Sequence, residues 1–136
     1  MKLEDVLKNI EIIEKKGSLE NNITHITSDS RNVKESGLFV AIKGYVLDGT
    51  KFIPNAIEKG ATAIMVDETT NISDFDIPES VCIVKVNNIR RTLAIASCNL
   101  NDNPSKKLKL IGVTGTKGKT TSTFMIKSIL EHQGFK

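Results

Sequence analysis

The chain has 136 residues, 39% of them hydrophobic and 26% charged, and its formal net charge is +3. These values suit a soluble globular chain of one ordinary domain plus a short further segment, and the sequence has no internal repeats and no low-complexity tracts. Aromatic residues make up only 4% and the basic residues form pairs such as Lys15-Lys16 rather than runs, so stacking platforms for nucleic acid are lacking. No apolar run approaches the ~18 residues of a membrane span, and Met1-Lys-Leu-Glu-Asp5 places acid where a signal peptide would be apolar.

In chain order, Leu3, Val6, Leu7, Ile10 and Ile13 follow a helical spacing that ends near Gly17. Residues 18–37 read as polar and irregular. A strand is expected over Leu38–Ile42 and a loop from Gly44 to Gly49. Phe52, Ala56 and Ile57 then mark a short helix stopped at Gly60. Ala63–Val66 reads as a buried strand, residues 67–80 as a polar loop, and Val81–Val86 as the next strand. Ile89, Leu93, Ala96 and Leu100 give a helix. Asn, Asp, Pro, Ser and Lys cluster over Asn101–Lys107, which predicts a linker and a division into domains 1–104 and 105–136. Beyond it the pattern predicts a strand over 108–113, a glycine-rich loop, and a helix from about 119 to 133 with Gly134 as its cap. Strands alternating with helices are the mark of an α/β fold. Cys82 and Cys98 lie in apolar patterns and read as reduced core residues, which suits the cytoplasm. His25 and His132 read as surface or partly buried histidines, and no spacing of Cys and His fits a zinc site.

Two segments carry candidate chemistry. The first is Ile111-Gly-Val-Thr-Gly-Thr-Lys-Gly-Lys-Thr-Thr121, an apolar run followed by glycines, Lys-Thr and a helix. That order cradles a polyphosphate: glycines let backbone N–H groups approach the oxygens, and the new helix points its positive end at them. Lys119 would neutralise the outer phosphates and the Thr120 hydroxyl would ligate Mg2+. The spacing departs from the general phosphate-loop pattern, because Val113 stands where that pattern has glycine. A glycine turn with an incidental lysine, or an unrelated phosphate-loop NTPase, is the competing reading. The second segment is Thr27-Ser-Asp-Ser-Arg31, whose hydroxyls, carboxylate and guanidinium either bind a polar ligand or make a capped turn. Gly44-Tyr-Val-Leu-Asp-Gly49 is likewise a turn or the wall of a ligand site.

Asp29-Ser30-Arg31, Gly37-Leu-Phe-Val-Ala41, Gly44, Asp48-Gly49, Phe52 and Ala56-Ile-Glu-Lys-Gly-Ala61 together resemble the N-terminal domain of the Mur ligases. Leu110–Thr121 resembles the start of their ATPase domain. Within the family the chain looks most like the MurE branch, which adds the third amino acid of the peptidoglycan stem peptide. Thr116 favours that branch over MurF, where serine is more usual. The resemblance implies an α/β N-terminal UDP-binding domain, a small sheet with flanking helices, in residues 1–104. It further implies the first strand, phosphate loop and helix of a P-loop ATPase domain in residues 105–136. It implies that Ser28 and Ser30 contact the UDP-sugar, that Tyr45, Val46 and Leu47 occupy the uracil-side loop, and that Gly115, Thr116, Lys117, Gly118, Lys119, Thr120 and Thr121 hold ATP, with Lys119 catalytic and Thr120 on Mg2+. Lys117 stands where asparagine is commoner. The implied partners are UDP-N-acetylmuramoyl-L-alanyl-D-glutamate and an amino acid, lysine or diaminopimelate, joined through an acyl phosphate. The parent enzyme would be a cytoplasmic monomer using neither nucleic acid nor membrane. Residues 1–136 alone would be inactive and prone to self-association through the shortened second domain. MurF or another paralogue, or a non-catalytic uridine-nucleotide module with a vestigial phosphate loop, is the alternative.

Overall fold

A computed structural model describes residues 1–44 and 47–135, which divide into two compact units, Met1–Pro104 and Ser105–Lys136. In the first unit a short helix, α1 (Leu3–Val6), leads to strand β1 (Ile12–Lys16). Strands β2 (His25–Thr27) and β3 (Gly37–Ala41) follow, then helix α2 (Ile53–Glu58), strands β4 (Ala61–Asp67) and β5 (Cys82–Val86), and helix α3 (Ile89–Leu100). The strands form one sheet in the order β1-β5-β4-β3-β2. β2 to β5 run parallel, and β1 is antiparallel to β5 at one edge.

Residues of β3, β4 and β5 are apolar almost without interruption because both faces of the sheet are covered. Successive side chains alternate between the faces. Leu38, Val40, Ala63, Met65, Cys82, Val84 and Val86 pack with Leu3 and Val6 of α1 and Ile89 and Ala96 of α3. Phe39, Ala41, Ile64, Val66 and Ile83 pack with Ile53 and Ala56 of α2. The result is a helix–sheet–helix sandwich, the α/β fold expected from the sequence.

Several local expectations change. The helical spacing from Leu3 to Ile13 resolves into two elements: α1 ends at Val6, and Asn9 turns the chain in the left-handed region at φ 63°. Ile12–Lys16 then pairs with β5, because that edge would otherwise leave a row of backbone groups without partners. The irregular stretch 18–37 contains β2. Cys82 is buried, and burial pushes its thiol pKa up, but Cys98 lies on the exposed side of α3 and is not a core residue. Both cysteines are free.

The second unit begins within a four-residue helical turn, α4 (Pro104–Lys107), where a linker was expected; proline suits the first turn of a helix because its missing N–H has no acceptor there. Leu108–Val113 makes no backbone hydrogen bond among the described residues, so the strand expected there is not formed. A strand requires a hydrogen-bonded neighbour, and this unit offers none. Helix α5 (Lys119–His132) follows the glycine loop. It ends as its sequence predicts: Gly134 sits at φ 84°, its N–H donates to Glu131 O at 3.0 Å and the Phe135 N–H donates to Leu130 O at 3.0 Å. That pair of bonds satisfies the last carbonyls of the helix.

Candidate functional site

In the first unit the chain leaves the carboxyl ends of the adjacent parallel strands β2 and β3, the place where open α/β sheets bind ligands. A cavity of about 490 Å3 opens there, bordered by Ser28, Asp29, Ser30 and Arg31 on the polar side and by Ile42, Leu47, Gly49 and Phe52.

The Thr27–Arg31 segment is a capped turn and a polar wall at once. Thr27 Oγ1 accepts from the Asp29 N–H at 3.1 Å and donates to Asp29 O at 3.2 Å. Asp29 caps the following 3-10 turn, Ser30–Asn32, by accepting from the Arg31 N–H at 2.9 Å. The Arg31 guanidinium returns to the same carboxylate, with Nε 3.0 Å from Oδ1 and Nη2 2.7 Å from Oδ2. These hydrogen bonds hold the Asp29 pKa down at about 2. Thr27, Asp29 and Arg31 thus satisfy one another. The Ser28 and Ser30 hydroxyls, by contrast, make no hydrogen bond among the described residues, although Ser30 is only 8% exposed.

The opposite segment is fixed in a similar manner. Asp48 Oδ1 accepts from the Thr50 N–H at 3.0 Å and from Thr50 Oγ1 at 2.7 Å, which starts the 3-10 turn Gly49–Phe52 and lowers the Asp48 pKa. The Gly49 N–H donates to Ile42 O at 3.0 Å. A Cβ on Gly49 would lie 2.6 Å from that carbonyl oxygen, so only glycine permits this approach. Leu47 borders the cavity, whereas Tyr45 and Val46 lie outside the described residues. Gly49 closes the segment that the sequence offered as a turn or a ligand wall, whereas sequence reasoning missed Ile42 and Phe52 as cavity residues. The available signal was the Asp48-Gly49 pair, an Asx-turn start that places Phe52 one helical turn later.

In the second unit Gly115 has φ 147° and Gly118, at the head of α5, has φ 77° and ψ 0°, conformations that side chains resist. A Cβ on Gly112 or Gly118 would meet nothing within 4 Å, so the loop lies open. Lys119 Nζ donates to Gly115 O at 2.6 Å and ties the loop across its mouth. Ser122 N–H is bonded to Gly118 O at 2.9 Å, and the amides before it have no acceptor within the helix. Free amides, a lysine ammonium and the exposed Thr120 hydroxyl form a donor set suited to a phosphate chain with its metal. Among the described residues no cluster of three His, Cys, Asp or Glu forms a metal site, and no helix is long and apolar enough to cross a membrane.

A family model described as the catalytic domain of the Mur ligase family matches residues 22–106. The chain belongs to the Mur ligase family. Over its full length it is 52% identical to the UDP-N-acetylmuramoyl-L-alanyl-D-glutamate–2,6-diaminopimelate ligase of Clostridium tetani, and it covers 28% of that protein. Among solved structures, the UDP-N-acetylmuramoylalanyl-D-glutamyl-2,6-diaminopimelate–D-alanyl-D-alanyl ligase of Acinetobacter baumannii superposes with a TM-score of 0.57 at 27% identity. That match covers 81% of this chain and 23% of the other. MurF of Thermotoga maritima in complex with ADP gives a TM-score of 0.53 at 31% identity, covering 82% and 24%. The chain therefore spans little more than a quarter of the length of the curated relatives it matches.

Proposed function

We propose that this Mur ligase chain forms the uridine-nucleotide pocket and the phosphate loop of an ATP-dependent, amide-forming ligase. The ligase would add diaminopimelate to UDP-N-acetylmuramoyl-L-alanyl-D-glutamate in peptidoglycan synthesis. The observation that carries the reading is 52% identity over the whole of this chain to a ligase so named, against 27–31% over about four fifths of the chain for the two solved structures. The diaminopimelate-adding assignment is thereby favoured over the MurF alternative.

The pocket geometry supports the substrate half of the reading. Ser28 and Ser30 present unused hydroxyls to a cavity beside a guanidinium, a combination suited to the hydroxyls and phosphates of a nucleotide sugar. The phosphate loop supports the other half. The amides of residues 115–121, with Lys117 and Lys119, would hold the phosphates of ATP, and the Thr120 hydroxyl would ligate Mg2+. Bound there, ATP with its metal supplies the phosphoryl group that activates a carboxylate for attack by an amine. Lys119 must leave Gly115 O to reach a phosphate oxygen, so an anion replaces an internal acceptor rather than water alone. The two free cysteines fit a reducing compartment, the cytoplasm.

Calorimetric titration of UDP-N-acetylmuramoyl-L-alanyl-D-glutamate into the wild-type chain and Ser30→Ala tests the pocket. Loss of a hydroxyl that bonds a neutral group should weaken binding by about 0.5–1.5 kcal/mol, and by more if it meets a phosphate. Equal affinities would remove Ser30 from the site.

A further inference from the structure

Phe52 has no role in the reading above, and its surroundings give it one. The first unit leaves only four large apolar side chains exposed among its described residues: Met1, Ile13, Leu47 and Phe52. Two of the four, Leu47 at 67% and Phe52 at 40%, border the same cavity as the Ser28–Arg31 wall. Scattered exposed apolar residues need no explanation, but a pair at the lip of a polar-walled cavity, with the partly buried Ile42 beside them, is an apolar surface inside a polar site. Phe52 is also held in place. It closes the 3-10 turn that Asp48 caps through Thr50, it follows a glycine pressed against the Ile42 backbone, and it precedes Ile53, the fully buried first residue of α2. A rigid turn presenting a half-covered aromatic ring loses little side-chain freedom when a flat ligand settles on it.

We propose that Phe52 is the stacking platform for the pyrimidine ring of the uridine nucleotide, with Leu47 extending the apolar wall. This deepens the pocket reading and rests on it. A nucleotide offers a flat ring at one end and hydroxyls and phosphates at the other. The cavity offers an aromatic and aliphatic wall together with unpartnered hydroxyls and a guanidinium. The ring goes to Phe52, and the sugar and phosphates go to the Ser28–Arg31 wall.

The test uses UDP as the probe and the whole 136-residue chain. In proton NMR the uracil H5 and H6 resonances should move upfield on binding, from the ring current of Phe52, and show intermolecular Overhauser contacts to its ring protons. Phe52→Leu should abolish the ring-current shift and weaken UDP binding about tenfold, the scale of one base–aromatic stack. Phe52→Tyr should retain both. Phe52 is 40% exposed, so the leucine variant is expected to keep its fold, and an unchanged amide spectrum outside residues 42–56 verifies this. Phe52→Leu binding UDP as tightly as wild type, or a wild-type complex without upfield shifts, overturns the stacking role while leaving the uridine pocket standing. No UDP binding by the wild-type chain overturns the uridine reading and the stacking role together.

Discussion

Asp29 shows how one side chain serves both the turn and the site. Its carboxylate takes the Arg31 backbone N–H as a cap and the Arg31 guanidinium as a fork, and these bonds favour the ionised form. A carboxyl group whose pKa is lowered on folding contributes stability above its ordinary value. That contribution fades as the pH falls from 3.8 to about 2. Arg31 is largely exposed, so water screens the pair and its value is geometric: it fixes the turn that carries Ser28 and Ser30. Following the Asp29 carboxyl carbon by NMR should give a midpoint near 2 in the wild type, and Arg31→Gln should move it up toward the ordinary carboxylate range. A midpoint unchanged by that substitution would mean that the fork is not the cause. The residue scale is also where the sequence was least legible. Composition could not decide between a capped turn and a ligand wall for Thr27–Arg31, because the same residue types serve both. In the structure Asp29 and Arg31 do both, bonding each other in the turn while bordering the cavity, and Ser28 and Ser30 are left with hydroxyls that the turn does not use.

At the scale of elements, legibility tracked burial. β3, β4 and β5 read correctly to within two residues at each end because both faces are covered and the apolar run has no second interpretation. β1 did not, since Ile10 and Ile13 continue the helical spacing of α1, and only the vacant edge of β5 makes a strand of residues 12–16. β2, three residues long and half-buried, leaves no periodic trace. The start of α3 was legible from the apolar spacing of Ile89, Leu93, Ala96 and Leu100, and the structure adds a cap that the spacing does not show. Asn88 holds φ 44° and ψ 67°, and its side chain accepts from the Arg91 N–H at 3.2 Å, two tasks that asparagine performs together. Asn88→Ala loses the cap bond and forces alanine into the left-handed region, at a combined cost of about 2 kcal/mol. Asn88→Gly keeps the backbone and should cost only a few tenths of a kcal/mol. Urea midpoints for the two variants provide the measurement. A glycine variant as unstable as the alanine variant would show that backbone conformation is not the issue at position 88.

For the whole molecule, the net charge of +3 conceals a division. Residues 1–104 carry 12 Lys and Arg against 15 Asp and Glu, whereas residues 105–136 carry seven against one, so the first unit is net −3 and the second net +6. The charge follows the proposed chemistry, because a loop that gathers polyphosphate benefits from surrounding cations. Apolar exposure divides in the same way. The first unit buries its strands, while the second leaves Leu108, Leu110, Ile111, Phe124, Met125 and Ile129 each more than 60% exposed. Leu108–Val113 has the composition of a strand buried on both faces, yet its backbone has no partner among the described residues. Its N–H groups are therefore left to water, and the opening free energy for amide exchange should be close to zero there. In β3 to β5 opening should approach that of global unfolding. Hydrogen exchange on the 136-residue chain, at concentrations where ultracentrifugation gives a monomer, should show residues 108–113 exchanging at nearly unprotected rates, α5 intermediate, and Leu38–Ala41 and Ala63–Val66 slowest. Protection of residues 108–113 comparable to β4 in the monomer would mean that this segment pairs with a strand the structure does not give it, and the account of the second unit as an open phosphate loop on a lone helix would fall.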